Sequence, residues 1–306
     1  MQHNLYHKTG IIIQKLCFKL LDKKVGDRIK SVSDYAQEFN VANGTVQNAF
    51  KYLKKEKAIA TKSRGHLGTF ISKIDINKLI KISGHKDIIG VMPLPYSRLY
   101  QGFATALYLD AHDHSVDLQL AFMRGAQSRV KMLIEGNYDF IITSKLSANN
   151  YIKQYESLEI LIEFGKHTYL REHAMVFLSD KKNDVEDKMR VGVDYNSTDM
   201  EILTKHQCED KEVEYISLPY IQLLSKIKSK EIDMAVMNAD DIKDRNEKLN
   251  LVEIDNDYFN YSDTEAVLLV KKKDNFTKSV LLKTIDSKRI IETQKRVLKG
   301  EIEAIY

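Results

Sequence analysis

Short apolar segments alternate with amphipathic segments through most of this 306-residue chain, and this alternation restricts the possible folds more than any other feature of the sequence. Strand-like apolar segments cover residues 88–92, 116–122, 139–143, 190–193, 212–217 and 233–237. Helical patterns between them cover residues 97–111, 128–135, 198–206 and 220–228. Apolar strands that alternate with helices are typical of parallel sheets covered by helices. We therefore predict an α/β body with two parallel-sheet lobes, each built on three of these strands.

Two further apolar runs, 174–178 and 266–270, flank the second set of strands. We interpret them as segments that cross from one lobe to the other, and we expect helices from residue 277 onward to return to the first lobe. The length of the chain suits two domains. The predicted division is an N-terminal domain at 1–72, a linker at 73–86 and a bilobed domain at 87–306.

Charge is distributed unevenly between these predicted domains. Residues 1–72 contain 13 Lys and Arg against five Asp and Glu, a formal charge of +8, whereas the remaining 234 residues carry −4. A basic N-terminal domain on a slightly acidic body is typical of a nucleic-acid-binding module joined to another function. A lysine-rich solvated surface explains the same charge equally well, so charge alone leaves both interpretations open.

The N-terminal domain has the pattern of a winged helix-turn-helix. The predicted elements are an amphipathic helix at 12–21, a second helix after Ser31, a turn at 40–44, a third helix at about 44–57, and wing strands at 58–61 and 69–72. Ser31 and Asp34 have the spacing of a capping box, which predicts where the second helix starts. Glycines at the tip between the two strands indicate a hairpin wing.

The exposed face of the third helix has the chemistry of a DNA major-groove reader. Asn and Gln side chains can bond adenine edges, Thr offers a hydroxyl and a methyl group, and lysines neutralise phosphates. Basic residues on a wing can reach the neighbouring backbone or minor groove. The predicted DNA-binding residues are Asn43, Thr45, Gln47, Asn48, Lys51, Lys55, Arg64 and His66. A helix-wing module can also dock proteins, and we favour DNA because the charge, the polar face and the wing agree.

The segments 26–29, 42–47 and 64–71 resemble the DNA-binding head of GntR-type regulators. The most specific parts are the Thr45-Val46 pair that opens the third helix and the glycine-threonine-phenylalanine sequence of the wing strand. Three arginines of that family pattern are replaced here by Ser33, Asn43 and Gln47. The resemblance therefore implies the winged-helix fold and a role in transcription, but it does not transfer the individual DNA contacts.

The predicted body resembles type 2 periplasmic-binding-protein folds and the effector domains of LysR-type regulators. The segments 123–126, 136–140, 143–144 and 193–194 resemble more particularly the C-terminal domain of YhfZ-type regulators. Together with the head, this resemblance covers nearly the whole chain. It implies a transcription factor that senses a small molecule.

Ligands of open α/β sheets bind beyond the carboxyl ends of strands, where helix N-termini present free N–H groups. The candidate effector-binding residues at these places are Ser97, Arg98, Arg124, Thr143, Ser144, Asp194, Asn196, Ser197 and Asn238. Hydroxyls and an arginine suit a carboxylate or phosphate, so we predict an anionic effector. N-capping explains each serine at least as well, which makes Arg124 the strongest candidate. Three residues near the first crossing segment either line the cleft or pack internally: His167, Tyr169 and His173.

The sequence contains no phosphate-binding loop, dinucleotide-binding glycine fingerprint or zinc-protease motif. Residues 110–114 have ligand chemistry for zinc or nickel, but a solvated loop is the favoured interpretation. Cys17 fits a helix core, and Cys208 lies in a stretch expected to be exposed. We predict no cofactor, no metal and no enzymatic activity. The alternative is an enzyme of bilobed α/β fold that carries a protein-docking winged-helix head.

No apolar run approaches the ~18–20 residues of a membrane-spanning helix, so we expect no membrane association. With two cysteines and no export signal, we expect a cytoplasmic protein without structural disulfides. The predicted mechanism is a homodimer that presents two recognition helices about 34 Å apart to a palindromic operator, with a spacing that changes when the effector binds. A regulator whose cleft is vestigial is a third possibility.

Overall fold

The structure is a computed structural model that describes residues 8–84, 87–113, 117–178, 182–254 and 258–306. It divides into two compact units. The head unit holds residues 8–84 and 276–284 with short stretches near residues 88 and 112, and the body unit holds most of the other residues. Within the described ranges, no helix combines the length and the apolar character needed to cross a membrane.

The head unit is a winged helix-turn-helix with one additional helix directly after the wing. Its elements are α1 (Lys8–Leu21), β1 (Arg28–Ile29), α2 (Val32–Phe39), α3 (Asn43–Lys55), β2 (Ile59–Ser63), β3 (Thr69–Ile74) and α4 (Ile76–Ile82). The strands form an antiparallel sheet in the order β1-β3-β2. Strands β2 and β3 are the predicted wing, whereas the two-residue strand β1 was not predicted.

Local sequence explains the geometry of the helix-turn-helix. The Asp34 N–H donates to the Ser31 hydroxyl at 3.1 Å, and the Ser31 N–H donates to the Asp34 carboxylate at 3.0 Å, which confirms the predicted capping box. The cap residue Asn40 ends α2 with a φ of 53°, in the left-handed region that Asn tolerates. The residues that α2 and α3 bury are Tyr35, Ala36, Phe39, Val46, Ala49, Phe50 and Leu53. These are the residues that the helical periodicity places inward.

Most of the predicted linker at 73–86 is an ordered part of the head unit. Strand β3 extends into it, and α4 follows with Leu79 and Ile80 buried. The Gln14 side-chain amide on α1 donates to the Ser83 carbonyl oxygen at 2.7 Å. The apolar residues of this segment therefore pack against the head, while residues 85–86 lie outside the described ranges.

The body unit consists of two lobes. Lobe 1 begins with β4 (Asp87–Met92), α5 (Arg98–Asp113), β5 (Asp117–Phe122), α6 (Ala126–Glu135), β6 (Phe140–Ser144), α7 (Lys145–Gln154) and β7 (Leu158–Glu163). Lobe 2 contains β8 (His173–Phe177), β9 (Arg190–Val193), α8 (Thr198–Gln207), β10 (Glu214–Ser217), α9 (Tyr220–Lys228), β11 (Met234–Asn238), α10 (Ala239–Asp244) and β12 (Asn250–Glu253). The chain then returns through β13 (Ala266–Lys271), α11 (Asn275–Thr284) and α12 (Ser287–Leu298).

Each lobe is built on a five-stranded mixed sheet. The strand order is β5-β4-β6-β13-β7 in lobe 1 and β10-β9-β11-β8-β12 in lobe 2. The predicted strands include the parallel pairs β4–β6, β9–β10 and β9–β11. The runs interpreted as crossing segments are instead strands β8 and β13, which lie antiparallel inside the sheets. Their apolar sequences reflect burial on both faces, and the chain crosses between the lobes just before each of them.

Helix α11 belongs to the head unit and not to lobe 1. The ring of Phe276 lies 4.4 Å from that of Phe18 on α1, measured between centroids, and the Ser279 hydroxyl donates to the Asp22 carboxylate at 2.6 Å. Helix α12 lies in the body unit. The prediction that the C-terminal helices return to the first lobe is therefore wrong for α11.

Close packing at Gly90 generates a stability prediction. Gly90 on β4 lies opposite Phe140 on β6, and the fully buried Phe140 ring occupies the place of a Gly90 side chain. We expect Gly90→Ala to lower the free energy of unfolding of the body unit by about 1–3 kcal/mol, because the ring must move. Chemical denaturation followed by circular dichroism measures this change.

The matched control is Gly10→Ala in α1, where no atom of the described residues lies within 4 Å of an added Cβ. Alanine loses less backbone conformational entropy on folding than glycine does, so that variant should be more stable by about 0.5–1 kcal/mol. Equal denaturation midpoints for the Gly90→Ala variant and the parent chain would contradict the packing described for β4 and β6.

Candidate functional site

The exposed face of α3 carries the helix residues predicted to bind DNA. Asn43, Gln47, Asn48, Lys51 and Lys55 are exposed, and Thr45 is half-buried. None of the five exposed side chains has a hydrogen-bond or ion-pair partner among the residues that the structure describes. Their amide and ammonium groups are therefore available to a ligand.

A groove of about 380 Å³ lies beside this face, between α3, the start of α2 and the wing strands. Gln47 and Lys51 line it together with Lys30 and Lys54. Lys30 was missed as a site residue because it precedes α2 in the sequence and joins α3 only in the fold. Its ammonium group is 2.9 Å from the Glu38 carboxylate, so part of its charge is already balanced.

Arg64 and His66 lie at the tip of the wing, and both are exposed. The Arg64 guanidinium lies 4.7 Å from the centroid of the Phe70 ring, which supports the side chain by a cation–π contact. Gly68 has a φ of 98°, and a Cβ there would meet the Arg28 guanidinium at 2.8 Å. Glycine is therefore needed where Arg28 crosses the wing, and Arg28 adds to the basic surface.

A cavity of about 70 Å³ lies between the two lobes of the body unit, at the carboxyl ends of the parallel strands. Arg124 and Arg129 line it from the segment after β5 in lobe 1. Asp194, Ser197 and Asn238 line it from the ends of β9 and β11 in lobe 2. Four tyrosines complete much of the wall: Tyr96, Tyr100, Tyr169 and Tyr220. This is the position that strand order predicts for a ligand cleft.

Four of the nine candidate effector residues line this cavity, namely Arg124, Asp194, Ser197 and Asn238. Arg124 is half-buried, and no residue in the described ranges forms a hydrogen bond or ion pair with it. Ser197 is the N-cap residue of α8 but makes no side-chain capping bond, so capping does not account for it. The Asp194 carboxylate, by contrast, accepts the backbone N–H groups of Asn196 and Tyr220 at 3.0 and 2.9 Å.

The other five candidates do not line the cavity: Ser97, Arg98, Thr143, Ser144 and Asn196. Ser97 accepts a bond from the Tyr100 N–H and Ser144 caps α7, as the N-capping interpretation expects. Arg98 donates through its guanidinium to the Val297 carbonyl oxygen at 3.2 Å. Thr143 is buried within β6.

Hydrogen bonds between α7 and α8 join the two lobes beside the cavity. The hydroxyls of Ser144 and Ser147 both donate to Oδ1 of Asp199 at 2.7 Å. The hydroxyls of Tyr151 and Thr198 are also bonded at 2.7 Å. Burial raises the pKa of the Asp199 carboxyl above its ordinary value.

Arg129 and Asp199 line the cavity but were not predicted. Each lies inside a helix, one turn or less from its start, where an acidic or basic residue looks like an ordinary surface charge. His173 and Tyr169, left open by the sequence, also line the cavity. The Nδ1 atom of His173 is 2.8 Å from Oδ2 of Asp263, and both residues are buried.

The remaining reactive side chains have structural surroundings. No group of three or more His, Cys, Asp or Glu within the described ranges could hold a metal ion. Asp110 is buried and accepts the Asp286 N–H, while His114 lies outside the described residues. Cys208, expected to be exposed, is 2% exposed, and burial raises its thiol pKa. Burial also raises the pKa of Cys17 to about 12, so neither thiol is activated for nucleophilic chemistry.

The head matches a family model for a helix-turn-helix domain over residues 24–71. A 66-residue segment is 36% identical to the HTH-type transcriptional regulator Rv1152 of Mycobacterium tuberculosis (strain ATCC 25618 / H37Rv) and covers 22% of this chain and 53% of that protein. These similarities support a DNA-binding regulator. They do not test the GntR resemblance or the homodimer, which stay predictions.

The bilobed fold of the body recurs in solved structures. An ancestral arginine-binding protein bound to arginine is 16% identical, with a TM-score of 0.51 over 70% of this chain and 97% of that chain. At this identity the similarity concerns the fold alone. The body therefore has the predicted periplasmic-binding-protein-like fold, with two sheets and a cleft between them.

One further relative covers both parts of the chain. The protein YhfZ of Escherichia coli (strain K12) is 31% identical over 310 residues, with 100% of both chains covered. The crystal structure of YhfZ from Shigella flexneri is 32% identical, with a TM-score of 0.63 over 75% of this chain and 98% of that chain. The family model for the YhfZ C-terminal domain matches residues 75–306. The chain therefore belongs to the YhfZ family, as the motifs of its body predicted.

Proposed function

We propose that this protein is a transcriptional regulator that binds operator DNA through the head unit and is controlled by a small anionic effector in the cavity of the body unit. The observation that carries the proposal is that two donor surfaces have no hydrogen-bond or ion-pair partner among the described residues. One is the polar and cationic face of α3, and the other is the guanidinium of Arg124. Both surfaces bear groups suited to phosphates and carboxylates.

The DNA-binding part of the proposal depends on the exposed face of α3. The amides of Asn43, Gln47 and Asn48 have no partner in the described ranges, so their donors and acceptors are available to base edges in the major groove. Lys51 and Lys55 are exposed, and their ammonium groups, which pair with no described residue, can contact the phosphate backbone. The basic wing with Arg64 and His66 extends the same surface toward the neighbouring groove.

The effector part depends on the cavity between the lobes. Arg124 supplies a charged donor that no described protein group satisfies, and Ser197 supplies a hydroxyl not used for capping. Asn238 uses its side-chain oxygen to accept the Asp240 N–H, which leaves its amide N–H groups for a ligand. A small carboxylate or phosphate matches this donor set. Effector control then requires that the ligand bind one arrangement of the protein better than another.

The His173–Asp263 pair favours one second candidate, an enzyme that uses the cavity as its active site. A buried histidine oriented by a carboxylate is the usual form of a general base. Incubation of the purified chain with a bound ligand in D₂O tests this candidate, because a general base would exchange an acidic C–H proton. An unexchanged ligand recovered intact would exclude this activity toward that compound.

Substitutions on α3 test the DNA-binding proposal. With an operator selected from genomic fragments, Gln47→Ala should weaken specific binding by about 1–3 kcal/mol and relax the base preference at one position. Lys51→Ala should weaken binding to all duplexes and reduce the slope of log affinity against log salt by about one. Fluorescence anisotropy over a salt series measures both effects.

The matched control for these variants is Lys153→Ala, which removes an exposed lysine from α7 of the body unit. It should change neither affinity nor salt dependence. The proposal is refuted if the parent chain prefers no duplex over random competitor DNA, or if the α3 variants bind as the control does.

Substitution of Arg124 tests the effector proposal. Thermal-shift screening against small carboxylates and phosphates should identify ligands of the parent chain, and Arg124→Ala should abolish those shifts while basal DNA binding is kept. The reason is that the substitution removes the charged donor from the cavity without touching the head unit. The control Lys131→Ala removes an exposed cation from α6 and should retain every shift. A ligand that stabilises the Arg124→Ala variant fully would remove this residue from the site.

A further inference from the structure

Asp199 is a buried carboxylate whose charge is only partly satisfied by the protein. It is 5% exposed, and the hydroxyls of Ser144 and Ser147 both donate to the same oxygen, Oδ1. The second oxygen, Oδ2, has no hydrogen-bond donor within the described part of the chain. No lysine or arginine of that part forms an ion pair with this carboxylate. Because Asp199 lines the cavity, a ligand can reach it.

His173 presents a second acceptor on the same side of the cavity. Its Nδ1 atom is 2.8 Å from the carboxylate of Asp263, which is fully buried. A carboxylate accepts hydrogen bonds, so Nδ1 carries the proton of this bond. The other ring nitrogen, Nε2, has no partner in the described ranges, and the residue lines the cavity. In the neutral ring, Nε2 is therefore a free acceptor.

The opposite side of the cavity presents cations. Arg124 has no partner among the described residues. Arg129 is 2% exposed and donates to the Met123 carbonyl oxygen and the Tyr169 hydroxyl, but it pairs with no carboxylate there. Within the described ranges, lobe 1 thus contributes two arginines without counter-ions, and lobe 2 contributes two atoms that lack donors, Oδ2 of Asp199 and Nε2 of His173.

We infer that the anionic group of the proposed effector is the carboxylate of a small zwitterion, bound by Arg124 on lobe 1, and that its ammonium group is bound by Asp199 and His173 on lobe 2. The inference rests on the proposed role of the cavity as an effector site. A buried charge without a partner is costly, and a zwitterion supplies the missing partner on both walls at once. An ammonium group has three N–H donors, enough for Oδ2 of Asp199 and Nε2 of His173 together.

The size of the cavity restricts the zwitterion. A water molecule needs roughly 10–15 Å³ of such volume, so a cavity of about 70 Å³ holds a ligand of only a few heavy atoms beyond a carboxylate. Amino acids of the size of glycine, alanine or β-alanine fit this limit.

Matched ligands test the inference on the full-length chain. Isothermal titration calorimetry should compare glycine, both enantiomers of alanine and β-alanine with propionate, lactate and ethylamine. We expect at least one amino acid to bind and to lose about tenfold or more in affinity when its ammonium group is replaced by hydrogen or hydroxyl, because a charge-assisted hydrogen bond is lost. Ethylamine, which lacks the carboxylate, should lose affinity by a similar factor.

Asp199→Asn separates a ligand contact from a purely structural role. The variant keeps an oxygen that can accept the Ser144 and Ser147 hydroxyls, but it lacks the negative charge. We expect it to bind the amino acid about tenfold or more weakly and to bind propionate more tightly than the parent chain does, since the repulsion between two carboxylates is removed. Loss of folding alone cannot produce these opposite changes. The control Asp110→Asn alters another buried carboxylate of the body unit and should leave both affinities unchanged.

The possible outcomes distinguish the inference from the proposed function. Propionate or lactate that binds the parent chain as tightly as the amino acids would overturn the zwitterion while leaving an anionic effector in place. Failure of every amino acid, carboxylate and amine to bind would overturn both the zwitterion and these small effectors, and DNA binding would then stand alone. Amino-acid binding that is unaffected by Asp199→Asn would also overturn the assignment of the ammonium site.

Discussion

The carboxylate of Asp199 links the two lobes, and the shape of the cavity depends on this link. Two hydroxyls from α7 bond one of its oxygens, so the start of α8 lies directly against the start of α7. Gly125 allows a second close approach, because a side chain there would meet the Asn196 carbonyl oxygen at 2.8 Å. The lobes therefore meet through segments that follow strands, and other polar groups at these strand ends line the same cavity. Lobe 1 contributes the cations of Arg124 and Arg129 to that cavity, and lobe 2 contributes both a hydrogen-bond acceptor, Asp199, and a donor, the Asn238 amide.

Much of the fold could be predicted from the sequence, because the central strands of each sheet are buried on both faces and have continuous apolar runs. The predicted runs include β8 and β13, although their place inside the sheets could not be read from composition. The strands that the sequence did not reveal, β1, β7 and β12, all lie at sheet edges. Strand β1 has only two residues, and β7 and β12 are mostly half-buried, so none of the three has a continuous apolar run. The sequence also did not show which unit contains α11, because its apolar pattern identifies the buried face of the helix but not the surface against which that face packs.

A residue of the candidate site could be predicted from the sequence where no local structural role, such as helix capping, accounts for it. The sequence favours Arg124 because helix capping does not require an arginine, and this residue lines the cavity. Ser97 and Ser144 were ambiguous, and the structure gives them capping bonds. Asp199 was missed because an acidic residue in the first turn of a helix is favoured by the helix dipole alone. Its importance comes from the serines of another lobe, which lie 55 and 52 positions away in the sequence.

The placement of α11 has a practical consequence for dissecting this family. A fragment cut after residue 84 would contain every element of a winged helix-turn-helix and would still be an incomplete domain. It would lack the ring that lies beside Phe18 and the hydroxyl that bonds Asp22. Such a fragment exposes apolar surface on α1 and is expected to be poorly soluble. A low DNA affinity measured on it would then reflect the incomplete domain and not weak recognition by α3. A minimal head that keeps these contacts needs residues 275–284 joined after α4, because the head is discontinuous in sequence although compact in space.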